Sequence, residues 1–241
     1  MVKMLKSTKI KTGISGLDEV LKGGLITKRT YLVRGGPGTG KTTLGMQFLY
    51  EGVKENEKVL LITLSEEKDK IFEEFQYKFG EKIWDIEVLD LSPTSRTIIE
   101  NENYTLFSPK EVEWEKVLKK IISKLNTYKP RRIFLDGITQ LKYISNNKYE
   151  FRKNLLSFIN YIKELNATSI LTSESCEKME DQDLQFICDG IFNLSNKYSQ
   201  RFLLVKKYRN SAFINGKHTV KLTDKGMVLY PVLNILKRYG Q

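Results

Sequence analysis

Gly35-Gly36-Pro37-Gly38-Thr39-Gly40-Lys41-Thr42 has the residue types and the spacing to hold a chain of phosphates. Glycines at these positions let backbone N–H groups approach anionic oxygens with no Cβ between them. Lys41 places a charge on the outer phosphates, and the Thr42 hydroxyl is a hard oxygen ligand suited to Mg²⁺. The predicted nucleotide contacts are therefore Gly36, Pro37, Gly38, Thr39, Gly40, Lys41, Thr42 and Thr43. ATP and Mg²⁺ are the expected ligands. Such a loop should open a helix, whose N-terminal dipole adds a favourable field.

Two further groups are needed, a metal-holding acid and a carboxylate that polarises water. Asp136 ends the apolar run Arg132-Ile133-Phe134-Leu135. From there it would hold Mg²⁺ through water, opposite Thr42. The plain structural alternative is a strand-end aspartate starting a turn with Gly137. Glu66 and Glu67 follow Lys58 to Leu64, the strand next to the loop strand, and a carboxylate there could polarise the attacking water. An acid pair opening a helix on dipole grounds is the alternative, and the residue types alone leave both readings open.

The elements around these residues must bring them to one place. Thr30 to Val33 reads as a short buried strand, and Thr43 to Tyr50 as an amphipathic helix. Lys58 to Leu64 is a strand, Lys68 to Phe79 a helix, and Ile86 to Leu89 a strand. Glu111 to Tyr128 is a long helix ended by Pro130. Arg132 to Asp136 is a strand, Phe151 to Leu165 a helix, and Ala167 to Thr172 a strand. This alternation predicts an α/β fold, a mostly parallel sheet with helices on both faces. The last fifty or so residues change character. Gly190 to Leu194, Arg201 to Lys207, Lys217 to Leu222 and Met227 to Tyr230 read as short strands. Asp224-Lys225-Gly226 is a hairpin signal. They extend the same sheet in antiparallel fashion, so residues 1–241 form a single domain. Asp90 to Pro109 has the weakest pattern and reads as a surface excursion.

Composition narrows the class. The chain has 241 residues, 40% of them hydrophobic, enough for a sizeable core in one large domain. It has no apolar run long enough to span a bilayer, and its first nine residues are basic without the apolar centre of a signal peptide. The expectation is a cytoplasmic protein without membrane attachment. Cys176 and Cys188 fit no metal or redox spacing and read as reduced and packed. The net charge of +11 could be a nucleic-acid footprint. The alternative is lysines on solvated helix faces. Lys116, Lys119, Lys120 and Lys124 lie behind Ile121, Ile122 and Leu125 at helical spacing, which favours the solvated face.

Thr12-Gly13-Ile14-Ser15-Gly16-Leu17-Asp18-Glu19-Val20-Leu21-Lys22-Gly23-Gly24-Leu25, just before the loop strand, resembles the opening motif of the KaiC-like branch of the RecA/RadA ATPases. The resemblance extends over nearly the whole chain. Gly35 to Thr43 matches the nucleotide loop of that branch. Leu64-Ser65-Glu66 stands where the branch has its catalytic glutamate, so the resemblance selects Glu66, with Glu67 as a one-residue slip. Leu135-Asp136-Gly137 matches a strand-end Asp-Ser, with Gly137 in place of the serine. Ile170 to Glu174 resembles the following strand. Cys188-Asp189-Gly190-Ile191 resembles Ala-Asp-Gly-Val.

Val205-Lys206-Lys207-Tyr208-Arg209-Asn210-Ser211 is similar to a Lys-x-Arg-Gly-Ser/Thr segment on a C-terminal strand of the family. There, the lysine and arginine reach the terminal phosphate bound to the neighbouring subunit. The resemblance puts Lys207 and Arg209 in those catalytic roles, with Ser211 at the same nucleotide. Alternate strand residues point to one side, so both charges can aim at one phosphate. Asn210 replaces the usual glycine, and Phe213 falls where clock proteins have a histidine. The resemblance thus implies an ATP-hydrolysing homo-oligomer, expected as a hexameric ring, acting as a switch on an unidentified regulatory protein.

Two alternatives stay beside it. One is a nucleotide-sensing regulator with little hydrolysis. The other is a recombination or repair accessory that binds DNA, for which Lys142-Tyr143 and Asn146-Asn147-Lys148-Tyr149 could supply charge and stacking. Against DNA, Glu174, Glu177, Glu180, Asp181 and Asp183 crowd the second loop of the kind that faces a ring axis, and would repel phosphates. Autokinase activity of the clock type is not expected, because Gln185-Phe186 stands where those proteins carry Ser-Thr.

Overall fold

In the computed structural model, residues 8–93, 110–142, 147–174 and 181–232 are described. A nine-stranded sheet runs through the domain in the order β11-β10-β9-β8-β3-β7-β6-β4-β5. Five of its parallel strands carry the centre: β3 (Thr30–Arg34), β4 (Val59–Thr63), β5 (Glu87–Asp90), β6 (Arg132–Asp136) and β7 (Thr168–Ser173). Every residue of β4, β6 and β7 is buried. These strands are covered on both faces, so they read as continuous apolar runs with no in-out alternation.

Helices α1 (Leu17–Val20), α2 (Lys41–Lys54) and α3 (Lys68–Phe79) lie on one face. Phe48, Phe72, Phe75 and Phe79 from this layer join Tyr31, Val33 and Leu61 in one buried cluster. Helices α4 (Lys110–Tyr128), α5 (Lys148–Glu164) and α6 (Gln182–Ile187) lie on the other. Ile121, Leu125, Leu155, Ile159 and Leu184 meet Leu32, Leu60 and Ile62 there. Alternate strand residues thus feed opposite cores, as the pleat requires. On α4, Ile121 and Leu125 are buried and Lys119 is exposed, while Lys116, Lys120 and Lys124 of the expected solvated face are half-buried.

β8 (Gly190–Lys197) is parallel to β3, and β9 (Gln200–Tyr208), β10 (Lys217–Thr223) and β11 (Gly226–Tyr230) continue the sheet antiparallel. This is the α/β architecture and the antiparallel extension that the sequence predicts. A separate hairpin pairs β1 (Lys9–Ile10) with β2 (Leu25–Ile26). The segment between them folds back on the C-terminal strands. Leu229 N donates to Ser15 O at 2.8 Å, and Tyr208 Oη donates to Gly24 O at 2.6 Å. The glycine-rich opening motif is therefore a clamp on β9 and β11. Cys188 is buried and free, and burial pushes its thiol up to about 12. Cys176 lies outside the described residues, as do residues 94–109 of the expected excursion.

Candidate nucleotide site

β3 leads directly into the glycine-rich loop, and α2 begins at Lys41. Gly40 precedes the helix with φ +97°, and a Cβ there would lie 2.8 Å from Met227 Cε. The left-handed turn requires glycine, while the methionine beside it could give way. Above Gly38 there is open space, since a Cβ on it would meet nothing within 4 Å. Lys41 Nζ donates back to Gly36 O at 3.0 Å, so the ammonium lies over the loop. The Thr39 hydroxyl donates to the same carbonyl at 2.8 Å.

Asp136 comes to this loop from the end of β6. Its Oδ2 accepts from Thr42 Oγ1 at 2.8 Å, and its other oxygen accepts from Thr172 Oγ1. The same Thr172 hydroxyl oxygen accepts from Gly137 N at 2.7 Å. Burial raises the Asp136 carboxyl above the ordinary range, while the two threonine hydroxyls and the Lys41 charge oppose that shift. A buried carboxylate with a threonine hydroxyl at hydrogen-bond distance and a lysine charge nearby is a donor set that fits Mg²⁺ and outer phosphate oxygens.

Thr63 pairs with Asp136 across β4 and β6, so the residues after β4 emerge beside the aspartate. Glu66 is exposed, and its backbone is held by Thr63 Oγ1 through both N–H and C=O. Partial burial, then the Asp136 charge, raise the Glu66 carboxyl. Glu67 stands at the start of α3, and its side chain makes no cap bond.

Lys207, near the end of β9, and Arg209, just beyond it, lie at the opposite end of the strands from the loop. Leu204 is level with Asn193, which is level with Arg34 at the head of the loop. Tyr208 is level with Gly190, which pairs with Tyr31 near the start of β3. Residues 204 to 209 cover about 17 Å at ~3.3 Å per residue. Lys207 Nζ donates to Gln185 O at 2.8 Å and Phe186 O at 3.1 Å. Arg209 Nη2 donates to Phe186 O at 3.3 Å. Both cations therefore rest on the last carbonyls of α6, where the helix dipole favours positive charge. Burial and then Arg209 lower the Lys207 ammonium. Ser211 Oγ accepts from Lys9 Nζ at 2.8 Å, at the same end.

The structure thus brings Gly36, Gly38, Gly40, Lys41, Thr42, Asp136 and Glu66 to one end of the strands. It puts Lys207, Arg209 and Ser211 at the other. Sequence reasoning missed Thr172 as the second support of Asp136. A threonine ending an apolar strand was its only signal. It also missed Arg201, whose Nε donates to Gly38 O at 3.0 Å and closes the outer side of the loop. Of the segments weighed for DNA contact, 143–146 and 175–180 lie outside the described residues, and Tyr149 is exposed.

Comparisons with known proteins show the family and the fold. The family model for the KaiC ATPases matches residues 10–234. A UPF0273 protein of Methanocaldococcus jannaschii is 31% identical, over 92% of this chain and 96% of that protein. The circadian clock oscillator protein KaiC of Synechococcus elongatus is 26% identical over 93% of this chain, which spans only 44% of that longer protein. Among solved structures, a KaiC-like protein from Pyrococcus horikoshii superposes with a TM-score of 0.77 at 26% identity, covering 93% of this chain and all of that one. With its phosphate loop, its strand-end aspartate and its RecA-type sheet, this chain belongs to the KaiC family of P-loop ATPases.

Proposed function

We propose that the protein is a Mg²⁺-dependent ATPase that binds ATP between the subunits of a ring, expected to be a hexamer, and acts as a nucleotide-controlled switch in the cytoplasm. The observation that carries this reading is the placement of two groups of residues at opposite ends of the sheet's strands. A phosphate loop with its metal-holding pair lies on one, and two cations too distant to serve that loop lie on the other. Head-to-tail contact of identical subunits would join the two halves.

In this reading the backbone N–H groups of Gly36 to Thr43 and the Lys41 ammonium hold the phosphates. Thr42 and Asp136 would hold Mg²⁺, which supplies charge neutralisation on the outer phosphates. Glu66 takes the proton from the attacking water. Lys207 and Arg209 of each subunit stabilise charge on the phosphoryl group held by its neighbour, with Ser211 beside them. Loss of that phosphate removes what the two cations face, so hydrolysis loosens the interface. A regulatory protein that reads the assembled state is the expected downstream partner.

The test is mass by light scattering with and without Mg²⁺-ATP, with phosphate release followed in the same samples. A ring that forms or persists with ATP and releases phosphate is the expected result. Binding and assembly without release would make the protein a nucleotide sensor. A monomer that binds ATP and never assembles would remove Lys207 and Arg209 from the site.

A further inference from the structure

One polar cluster joins the two ends of the strands and has no part in the chemistry above. Arg34 is the last residue of β3, directly before the phosphate loop. Its Nε meets Asp181 Oδ2 at 2.5 Å. Ser173, level with Arg34 at the end of β7, donates its hydroxyl to the same oxygen at 2.8 Å. Gly35 N donates to Ser173 O at 3.2 Å, so the first residue of the loop is tied to the same strand end. Asp181 is 2% exposed and stands at the head of α6. Its second oxygen accepts from Gln185 Nε2 at 2.8 Å. One turn further on, the carbonyls of Gln185 and Phe186 carry Lys207 and Arg209.

We propose that Arg34, Asp181 and Gln185 are positioning residues: they fix α6 against a subunit's own phosphate loop and so set where that subunit presents Lys207 and Arg209 to its neighbour. The inference rests on the trans reading given above. A buried carboxylate with a guanidinium, a hydroxyl and an amide as partners has one favourable arrangement. Removing its charge leaves the partners underpaid in hydrogen bonds and lets the helix shift. Asp181 to Phe186 spans about 7.5 Å of helix at ~1.5 Å per residue. A displacement at the loop end of so short and rigid a rod reaches the cation end whole. Arg34 and Gly35 open the loop, so the position of one loop and that of the cations offered to the next subunit share one link. Such a link has the two distinct sites and the shared element that allosteric coupling needs.

The experiment is subunit mixing with Asp181→Asn. Alone, this variant should keep its ATP affinity and lose roughly 5- to 20-fold in turnover. Mixed with Lys41→Ala subunits, which bind no nucleotide but present intact cations, it should regain turnover. At such a junction an intact Lys207 and Arg209 face an intact phosphate loop. Arg209→Ala mixed with Lys41→Ala is the control for the trans reading itself. If the control recovers and the Asp181→Asn mixture does not, Asp181 serves its own loop and the inference is overturned. If neither recovers, the trans reading has failed and the inference falls with it. Should Asp181→Asn not fold, Gln185→Leu removes the same link from a half-buried position, and the same two outcomes apply.

Discussion

Arg209 and Lys41 stand at opposite ends of the strands of one sheet. Arg209 N donates to Asp189 O at 2.9 Å, and Asp189 N donates to Thr30 O at 2.7 Å, so Arg209 is tied to the first residue of β3. Lys41 is reached only after the last residue of that strand. Asp189 is buried, and Arg29 and Lys163 lie within 3.5 Å of its carboxylate, with Arg209 at 4.0 Å. Three cations around one buried carboxylate hold the end that would meet a neighbour. Arg209→Ala should lower turnover by roughly 10²- to 10³-fold. Added Lys41→Ala subunits should restore part of it, measured as phosphate release against mixing ratio. Absence of restoration at every ratio would show a role confined to its own chain.

Glu66 is the carboxylate proposed above to act on water. The Asp136 charge and partial burial both raise its proton affinity, which makes it a better base than an ordinary surface glutamate. Glu66→Gln should leave ATP affinity within about twofold and cut turnover by roughly 10²- to 10⁴-fold. Calorimetric titration and phosphate release separate the two effects. Full turnover in Glu66→Gln would transfer the role to Glu67, whose replacement is then the next measurement.

Much of this was legible in the chain. The helix Lys68–Phe79 and the strand Arg132–Asp136 have the bounds that their periodicity and caps predict. Helix α5 begins three residues earlier than expected because Asn147 accepts from Glu150 N and starts the helix there. The four residues of α1 and the six of α6 gave no periodic signal, being too short for one. Asp181 ties the head of α6 to Arg34 and Ser173, which come from distant strands. Arg201 likewise reaches Gly38 only because the antiparallel hairpin returns the chain to the loop. Phosphate-loop chemistry is local in sequence and can be read there. The supports of Asp136 and the separation of the two cations from the loop depend on sheet order, which periodicity does not encode.

Gly137 answers a question raised by the sequence, why a glycine stands where the family has serine. Its φ is +84°, and a Cβ there would lie 3.1 Å from Ser65 Oγ and 3.2 Å from Ser65 Cβ. Ser65 occupies the space a larger residue at 137 would need. Gly137→Ser should cost about 1–2 kcal/mol from the left-handed backbone, plus whatever Ser65 resists. For a domain of this size that lowers the melting temperature by roughly 2–8 °C. Thermal unfolding followed by circular dichroism measures it. A melting temperature unchanged within error would mean that Gly137 is not held by its backbone conformation.

His218 makes stability depend on acid. Its ring is buried, Nδ1 accepts from Val232 N at 3.0 Å, and Nε2 is 3.0 Å from Ile214 O. That pair of bonds requires the neutral ring with its proton on Nε2. Burial lowers the imidazole below the ordinary histidine range, and the bond to Ile214 opposes the shift only in part. Above the ordinary value neither folded nor unfolded histidine carries the proton, and the stability contribution is complete. As pH falls through that value the unfolded chain takes up a proton that the folded one refuses, so stability declines until the folded value is passed. Denaturant unfolding between pH 8 and pH 5 should therefore show a falling midpoint on the acid side of ~6.5. His218→Gln should be less stable at pH 8 and should lose this part of the slope. An unaltered slope in His218→Gln would assign the acid sensitivity to the carboxylates.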